Sequence, residues 1–325
     1  MGELEGKLRD ALKSRDERTI RRRLPTGTGS LTDFCSNDYL SLGSNSQLRA
    51  YFLKELTKHE KILGSGGSRL LVEVPGHDAL EARLASYFNA PVALLFNSGF
   101  DANAGFFSVV PQQGDVVLYD EHIHASVHDG MRSSRARNST WSFKHNSLAS
   151  LEYLLRKIIE DRPSVRLGHC SVFVAIESLY SMDGDFAPMP EIINLLNHTL
   201  PNKNGHLIVD EAHATGLYGE GGRGIVSMFG LENQVTARLH TFGKALAGSG
   251  GSLYLICLIF HMLKCTSAVI LTTPLIRDYL INYARPLIYT TALTHSSVIN
   301  VGCSFDMLET DEGKQVAHLP LSLQS

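Results

Sequence analysis

The chain has 325 residues, of which 43% are hydrophobic and 19% charged, a composition typical of globular proteins and unlike that of disordered or fibrous chains. Its formal net charge of −3 excludes a broad basic surface for nucleic acid or for an anionic membrane. The length suggests one large domain plus part of a second.

The cysteines and the N-terminal residues bear on cellular location. The five cysteines are widely spaced and form no CxxC pair, which indicates reduced thiols in a reducing compartment. The first 23 residues alternate in charge and lack the apolar stretch of a signal peptide. We therefore expect a cytoplasmic protein, although the Arg-rich, helical character of this segment leaves an organellar transit peptide open.

The first predicted element is a helix over residues 1–24, ended by Pro25 and a Gly-, Thr- and Ser-rich loop, within an N-terminal arm of residues 1–45. Short apolar runs then alternate with longer helical patterns. The predicted strands are Val92–Phe96, Val116–Tyr119, Val172–Ile176 and Leu207–Val209, and predicted helices include Leu148–Ile159 and Glu191–Leu200. This alternation predicts an α/β domain over residues 46–295, with a mainly parallel sheet and helices on both faces.

Polar residues follow each predicted strand. They are Ser98 and Gly99, then His122 and His124, then Glu177 and Ser181, and last Asp210 and His213. The carboxyl ends of parallel strands meet at one edge of a sheet, where ligands of open α/β folds bind. We expect these groups to lie together there.

Lys244 and Asp210 suit a pyridinium cofactor that carries an aldehyde. Lys244 follows a short polar turn and enters a Gly-rich stretch, where apolar and small neighbours could lower its pKa and make it a nucleophile. Asp210 ends a buried strand, where its carboxylate needs a partner such as a protonated ring nitrogen. Taken singly, such a lysine is more often a solvated surface charge, and such an aspartate more often caps a helix.

Two further features suit the phosphate and the ring of that cofactor. Asn97-Ser98-Gly99-Phe100 precedes a helical pattern and exposes backbone N–H groups at a helix N-terminus. His124 offers an imidazole for stacking. An isolated Ser-Gly pair is more often a plain turn, and an isolated histidine more often a satisfied polar residue. No metal ion is expected.

The segment Asp210-Glu211-Ala212-His213 also spells the DEAH box of certain helicases. Those NTPases need a GxxxxGK[ST] loop to wrap the nucleotide phosphates. Here Gly243-Lys244 is followed by Ala245, and Arg238 stands where the first glycine belongs. A DEAH-type NTPase is therefore a remote alternative.

Six ordered segments carry a resemblance to a known family along nearly the whole chain. They are Ser36-Asn37-Asp38-Tyr39-Leu40, Gly64-Ser65-Gly66-Gly67-Ser68-Arg69, His124-Ala125-Ser126, Ser181-Met182-Asp183-Gly184-Asp185, Asp210-Glu211-Ala212-His213-Ala214-Thr215-Gly216 and Thr241-Phe242-Gly243-Lys244. In this order they resemble the pyridoxal-phosphate-dependent α-oxoamine synthases, which are class II aminotransferase-like. The resemblance implies a type I PLP-dependent transferase fold, pyridoxal 5′-phosphate as cofactor, and a homodimer with active sites at the subunit interface.

The resemblance also implies residue roles. Lys244 would bind the cofactor aldehyde, Asp210 would pair with the ring nitrogen, His124 would stack on the ring and His213 would bond its hydroxyl group. Thr290 or Thr291 would reach the phosphate in the partner subunit. The remaining cofactor-binding residues implied are Ser98, Gly99, Phe100, Glu177, Ser181 and Thr241.

The implied reaction joins a small amino acid to an acyl-CoA with loss of CO₂ and CoA. The resemblance is strongest to the branch that joins L-alanine to pimeloyl-CoA in biotin biosynthesis. Arg21 matches an arginine thought to meet the distal carboxylate of that acyl group, and Asn37 and Ser68 match substrate-binding positions. A basic triplet such as residues 21–23 is more often a solvated helix face.

Two departures from the family pattern lead to a second hypothesis. Residues 253–268 form an apolar insertion, too short and too interrupted by His261 and Lys264 for a membrane span; a buried strand and turn or a translated non-coding segment would explain it. The small C-terminal domain is expected to be largely missing, with only residues 296–325 as its remnant. The alternative function is therefore a non-catalytic chain that binds the cofactor or a fuller partner subunit.

Overall fold

A computed structural model describes residues 2–23, 33, 35–250 and 265–310. The chain forms two compact units, the first of which contains the N-terminal residues up to Ser36 and the helix α1 (Glu3–Glu17). The second unit begins at Asn37 and holds the other described elements. Among the described helices, none combines the length and the apolar character needed to cross a bilayer. The cellular compartment stays a prediction.

The centre of the second unit is a seven-stranded sheet with six parallel strands and one reversed strand. The strands are β1 (Val92–Phe96), β2 (Val116–Asp120), β3 (Thr140–Phe143), β4 (Val172–Glu177), β5 (Gly205–Asp210), β6 (Ala237–Thr241) and, beyond a short ribbon of β7 (Ser249–Gly250) and β8 (Cys265–Thr266), β9 (Ala268–Thr272). The spatial order is β1-β9-β6-β5-β4-β2-β3, and β9 runs antiparallel to both neighbours.

Helices connect the strands and cover both faces of the sheet. They are α2 (Ser46–Leu56), α3 (His77–Tyr87), α4 (Gly99–Val109), α5 (Ala125–Ser133), α6 (Leu148–Asp161), α7 (Pro163–Arg166), α8 (Met189–Thr199), α9 (Ile225–Met228), α10 (Pro274–Tyr283), α11 (Arg285–Ile288) and α12 (His295–Leu308). Short 3₁₀ turns lie at Leu42–Ser44, Glu220–Gly222 and Glu232–Gln234.

The alternation of side chains along each strand explains the two covered faces. In β4, Val172, Val174 and Ile176 pack in one apolar cluster with α6 and α8. Phe173 and Ala175 point to the opposite face and pack with α4 and α5. Strands buried on both faces read as continuous apolar runs, which is why four strands could be predicted from the sequence.

The predicted fold class is confirmed: the sheet is mainly parallel and helices lie on both faces. The sequence did not predict β3, β6 and β9. β6 contains Arg238 and His240, which are both buried. Nη2 of Arg238 donates to the backbone oxygen of Phe88, and Nδ1 of His240 lies 2.9 Å from the Thr215 hydroxyl. The two polar residues interrupt the apolar pattern of a buried strand, and the partners that satisfy them are distant in the chain. The local sequence therefore did not predict this strand.

The domain boundaries proposed from the sequence stay predictions. Residues 251–264, which hold most of the predicted insertion, lie outside the described residues. The described end of the predicted insertion contains Cys265–Thr266, which pairs antiparallel with Ser249–Gly250 and leads into β9. Of the predicted C-terminal remnant, residues 296–308 belong to the helix α12, residues 309 and 310 follow its end, and residues 311–325 lie outside the described residues.

Candidate active site

Two buried carboxylates lie side by side at the carboxyl edge of the sheet. Glu177 ends β4, Asp210 ends β5, and the two are register partners in the parallel pair. Glu177 is 5% exposed and Asp210 is 7% exposed. The sheet therefore brings together two acidic groups predicted separately, and does so where the strand ends open into loops.

Asp210 is held by one side chain and one backbone group. Its Oδ2 accepts a hydrogen bond of 2.7 Å from the Asn103 side-chain amide, and its Oδ1 accepts one of 2.9 Å from the N–H of Ala212. Asn103 lies on α4 and is 4% exposed. Sequence analysis missed this residue; its signal was a lone amide on an otherwise apolar and small helix face.

Asn103 also connects Asp210 to the predicted stacking residue. Its amide donates a second hydrogen bond, of 3.0 Å, to the hydroxyl of Ser126, which lies 2.7 Å from Nδ1 of His124. His124 caps the N-terminus of α5 and is exposed, so one ring edge is fixed while the face stays accessible. The orientation of this imidazole is therefore set by hydrogen bonds that reach back to the carboxylate.

Lys244 lies in the loop after β6, with its Nζ 2.8 Å from Nε2 of His213. Burial lowers the pKa of the Lys244 ammonium, whereas the charges of Asp210 and Glu177 raise it. The amine and the two carboxylates are thus close enough to interact electrostatically. A partly desolvated lysine of this kind is suited to act as a nucleophile or as a base.

A chain of hydrogen bonds runs from Lys244 to the start of the second unit. Burial first, and then the charge of Lys244, lower the pKa of His213 to about 3, so this imidazole is neutral. If the Lys244 ammonium donates to Nε2, the proton of the neutral ring lies on Nδ1, which then donates to the Tyr39 hydroxyl at 2.8 Å. Tyr39 in turn donates to Oδ1 of Asn37 at 3.2 Å. Tyr39 belongs to one of the six segments that resemble the family, and sequence analysis predicted no role for it.

The environment of Glu177 favours its protonated form. Burial first, and then the charge of Asp210, raise the pKa of Glu177 to about 8, although Lys244 and the backbone N–H of His124 oppose the shift. Glu177 is therefore mostly protonated near neutral pH. A cation bound beside it would favour its ionised form.

The start of α4 lies against the end of β6. The Ser98 hydroxyl caps the helix by accepting a hydrogen bond of 3.0 Å from the N–H of Asp101. A Cβ on Gly99 would lie 2.5 Å from Cγ2 of Thr241, so only glycine permits this close approach. The N–H groups of Gly99 and Phe100 have no intrahelical acceptor and are available to an anion.

Thr290 and Thr291 approach the residue before this helix cap. The Asn97 amide donates to Oγ1 of Thr290 at 3.2 Å and to the backbone oxygen of Thr291 at 2.8 Å. The predicted role of these threonines in a partner subunit stays a prediction.

Two predicted residues lie outside the described hydrogen-bond network around Lys244. Within the described part of the chain, no hydrogen bond connects Ser68 or Ser181 to it; Ser68 accepts the N–H of Leu70, and Ser181 is exposed in the turn after β4. Arg21 belongs to the first unit and pairs with Asp16 at 2.5 Å.

Glu211, the second residue of the DEAH segment, is a structural residue. It is fully buried, and its carboxylate accepts hydrogen bonds from the N–H groups of Ile225 and Val226 and from the Ser178 hydroxyl. A carboxylate satisfied inside the core cannot hold a magnesium ion beside a nucleotide, so the NTPase alternative is wrong.

Comparison with known proteins agrees with this geometry. The sequence profile described as Aminotransferase class I and II matches residues 30–313. The chain belongs to this family. Within it, the chain is an α-oxoamine synthase, as the resemblance had suggested: it is 43% identical to an 8-amino-7-oxononanoate synthase of Emericella nidulans over 97% of this chain and 73% of that protein. Pyridoxal phosphate is the cofactor of the family, which confirms that prediction.

Other relatives in the family carry different names. An aminoacyl transferase sphA of Aspergillus fumigatus is 39% identical over 87% of this chain and 57% of its own length. Serine palmitoyltransferase of Sphingomonas wittichii superposes with a TM-score of 0.69 at 26% identity, over 84% of this chain and 60% of that one. This α-oxoamine synthase chain thus spans between about three-fifths and three-quarters of the length of these relatives.

Proposed function

We propose that this chain is a PLP-dependent acyltransferase that condenses a small amino acid with an acyl-CoA, releasing CoA and CO₂. The observation that carries the proposal is that Lys244 lies within electrostatic reach of the Asp210 and Glu177 carboxylates, which end two neighbouring strands. This combination of an amine of lowered pKa and strand-end acids is what a pyridinium aldehyde requires.

The residues present fit pyridoxal phosphate in charge and in shape. Asp210 and Glu177 suit a pyridinium cation, because a positive charge beside them would offset the burial and the charge of Asp210 that together raise the pKa of Glu177 to about 8. The close contact between Gly99 and Thr241 leaves a helix N-terminus at the same edge of the sheet for a phosphate.

Each part of the cofactor has a candidate partner. Lys244 would hold the aldehyde, Asp210 the ring nitrogen and His213 the ring hydroxyl, while the exposed face of His124 would stack on the ring. The phosphate would be bound by Ser98, Gly99, Phe100 and Thr241. When bound, the cofactor supplies an electron sink for negative charge that develops on the α-carbon of the amino acid.

The lysine would also move the substrate proton. Burial lowers the pKa of Lys244, so its neutral form, which alone accepts a proton, is more accessible than that of a surface lysine. His213 is neutral and lies 2.8 Å from Nζ, so it can orient the amine without competing for charge. The Asn103 amide keeps Asp210 turned toward the same site.

The proposed substrates are L-alanine and pimeloyl-CoA, as in biotin biosynthesis. The similarity to 8-amino-7-oxononanoate synthases supports this pair. The similarity to serine palmitoyltransferases supports a second pair, serine with a long-chain acyl-CoA. Initial rates with each amino acid and each acyl-CoA in a matrix would decide between them, because only the matched pair should give efficient turnover.

The decisive experiment measures CoA release by purified protein supplied with pyridoxal phosphate, L-alanine and pimeloyl-CoA. Lys244→Ala should abolish turnover, whereas the exposed control Lys157→Ala on α6 should not change it. Substantial condensation by Lys244→Ala would refute the assignment. Cofactor absorbance without CoA release for any pair in the matrix would favour the alternative, a chain that binds the cofactor but does not turn over.

We also propose a homodimer with the active site at the subunit interface. The support is the family membership. Sedimentation velocity of the protein saturated with cofactor should give the mass of two chains. A monomer with full activity would contradict this arrangement.

A further inference from the structure

A second group of polar side chains lies beside the active site, at the carboxyl ends of β2, β3 and β4. Asp120 ends β2 and His122 follows it, His145 follows β3, and Asp183 and Asp185 lie in the turn after β4. These strands are neighbours in the order β4-β2-β3. The proposed acyltransferase reaction uses none of the five residues.

The two histidines each meet a carboxylate. Nδ1 of His145 lies 2.8 Å from Oδ1 of Asp120, and its Nε2 lies 2.9 Å from Oδ2 of Asp185. Nδ1 of His122 lies 3.0 Å from Oδ2 of Asp183. The imidazole rings stack with centroids 4.1 Å apart and planes inclined by 21°. Five chemically suitable side chains thus converge from three loops.

The spacing of the donor atoms suits a single metal ion. One donor atom each from His122, His145 and Asp183 lies within 4.8 Å of the other two. Zinc bonds to imidazole and carboxylate are about 2.0–2.2 Å long, so its ligand atoms lie roughly 3–4 Å from one another. Rotation of the half-exposed His122 and Asp183 side chains would supply the remaining adjustment.

Asp120 provides the outer support that metal-binding histidines use. It is fully buried, and its carboxylate also accepts the backbone N–H groups of His122 at 2.9 Å and Asn146 at 2.8 Å. A carboxylate fixed in this way holds the N–H of His145 at Nδ1 and directs its Nε2 toward the other ligands. Tyr180 packs edge-on against the same imidazole at 4.5 Å.

Asp185 adds a further donor. Its Oδ1 is buried and has no hydrogen-bond partner among the described residues, so a lone pair remains for an ion. Three carboxylates surround two imidazoles, and a dication would offset that negative charge. Two imidazole nitrogens with carboxylate oxygens suit the zinc class of transition ions better than calcium or magnesium, which prefer oxygen alone.

We propose that His122, His145 and Asp183, with Asp185 beside them, bind one divalent transition-metal ion of the zinc class, and that Asp120 orients His145. Sequence analysis predicted no metal because His122 and Asp183 are 61 positions apart in the chain. The proposed site is independent of the acyltransferase function, since none of its residues holds the cofactor or moves the substrate proton.

Cobalt titration tests this site, because Co²⁺ substitutes for Zn²⁺ and its visible absorbance reports the ligand field. Chelator-treated protein, reloaded with pyridoxal phosphate, should bind one Co²⁺ per chain, with no thiolate charge-transfer band, and Zn²⁺ should displace it. Failure to bind Co²⁺ or Zn²⁺ at micromolar concentration would overturn the proposal and leave a purely hydrogen-bonded cluster.

Matched variants locate the bound ion. The double variant His122→Ala, Asp183→Asn should weaken Co²⁺ binding by at least about 10–100-fold, the loss that follows removal of even an outer-shell partner. The control, His169→Ala with Glu191→Gln, changes two exposed residues elsewhere and should bind normally. Unchanged affinity in the first variant would overturn the proposal. If that variant does not fold, as judged by circular dichroism, Asp183→Asn alone serves the same comparison.

Discussion

Replacing Glu177 with glutamine should change how stability depends on pH. Glu177 is 5% exposed, and burial together with Asp210 raises its pKa to about 8 from an ordinary value of 4.5. A carboxyl group of raised pKa binds its proton more tightly in the folded chain than in the unfolded chain. Its contribution is complete below about pH 4.5 and is lost as the pH rises through 8.

The expected magnitude follows from these two values. Between pH 6 and pH 8 the folded chain still holds most of this proton while the unfolded chain holds almost none, so the wild type loses about 2 kcal/mol of folding free energy from this group. Glutamine does not titrate. The free energy of unfolding of Glu177→Gln, relative to wild type, should therefore rise by about 2 kcal/mol over this interval.

Urea denaturation of the cofactor-free protein at about pH 6 and about pH 8 measures this difference. Burial lowers the pKa of His213 to about 3 and of His77 to about 4, so these groups favour folding as the pH rises. They act equally in both proteins and cancel in the comparison. The exposed control Glu191→Gln should show no relative change. An equal pH response in wild type and Glu177→Gln would refute the buried-charge argument.

Three further substitutions test the site and its substrate. Gly99→Ala should destabilise the cofactor-free protein by about 1–3 kcal/mol, because the added methyl group overpacks Thr241, and it should also weaken cofactor binding. Adding Thr241→Ser should restore part of the stability and part of the cofactor affinity. If thermal melts of the double variant show no recovery, the close contact is contradicted. Tyr39→Phe should lower kcat about fivefold and shift its pH profile, because His213 loses a hydrogen bond worth about 1 kcal/mol. An unchanged profile would exclude this role. Arg21→Ala should raise KM for pimeloyl-CoA about tenfold, because a hydrogen bond to the distal carboxylate is lost. KM for an acyl-CoA whose acyl chain carries no carboxylate should not change. Equal effects on both substrates would count against carboxylate recognition.

Local sequence was sufficient for the buried parallel strands and for the acids at their ends. β1, β2, β4 and β5 read as apolar runs because both of their faces are buried, and a residue that ends such a run lies at the sheet edge by geometry alone. Glu177, Asp210 and the helix cap at Ser98 could therefore be placed before any tertiary contact was known.

Tertiary structure decided the parts that depend on residues distant in the chain. Asn103 is an unremarked amide in a helix until the fold sets it 2.7 Å from Asp210, and Tyr39 becomes part of the site only when it meets His213, 174 positions away. β6 could not be predicted from local sequence for the same reason, because its buried Arg238 and His240 are satisfied by residues distant in the chain. Periodicity reports which side chains avoid water, whereas the partner that satisfies a buried polar group is set by how the strands and helices pack.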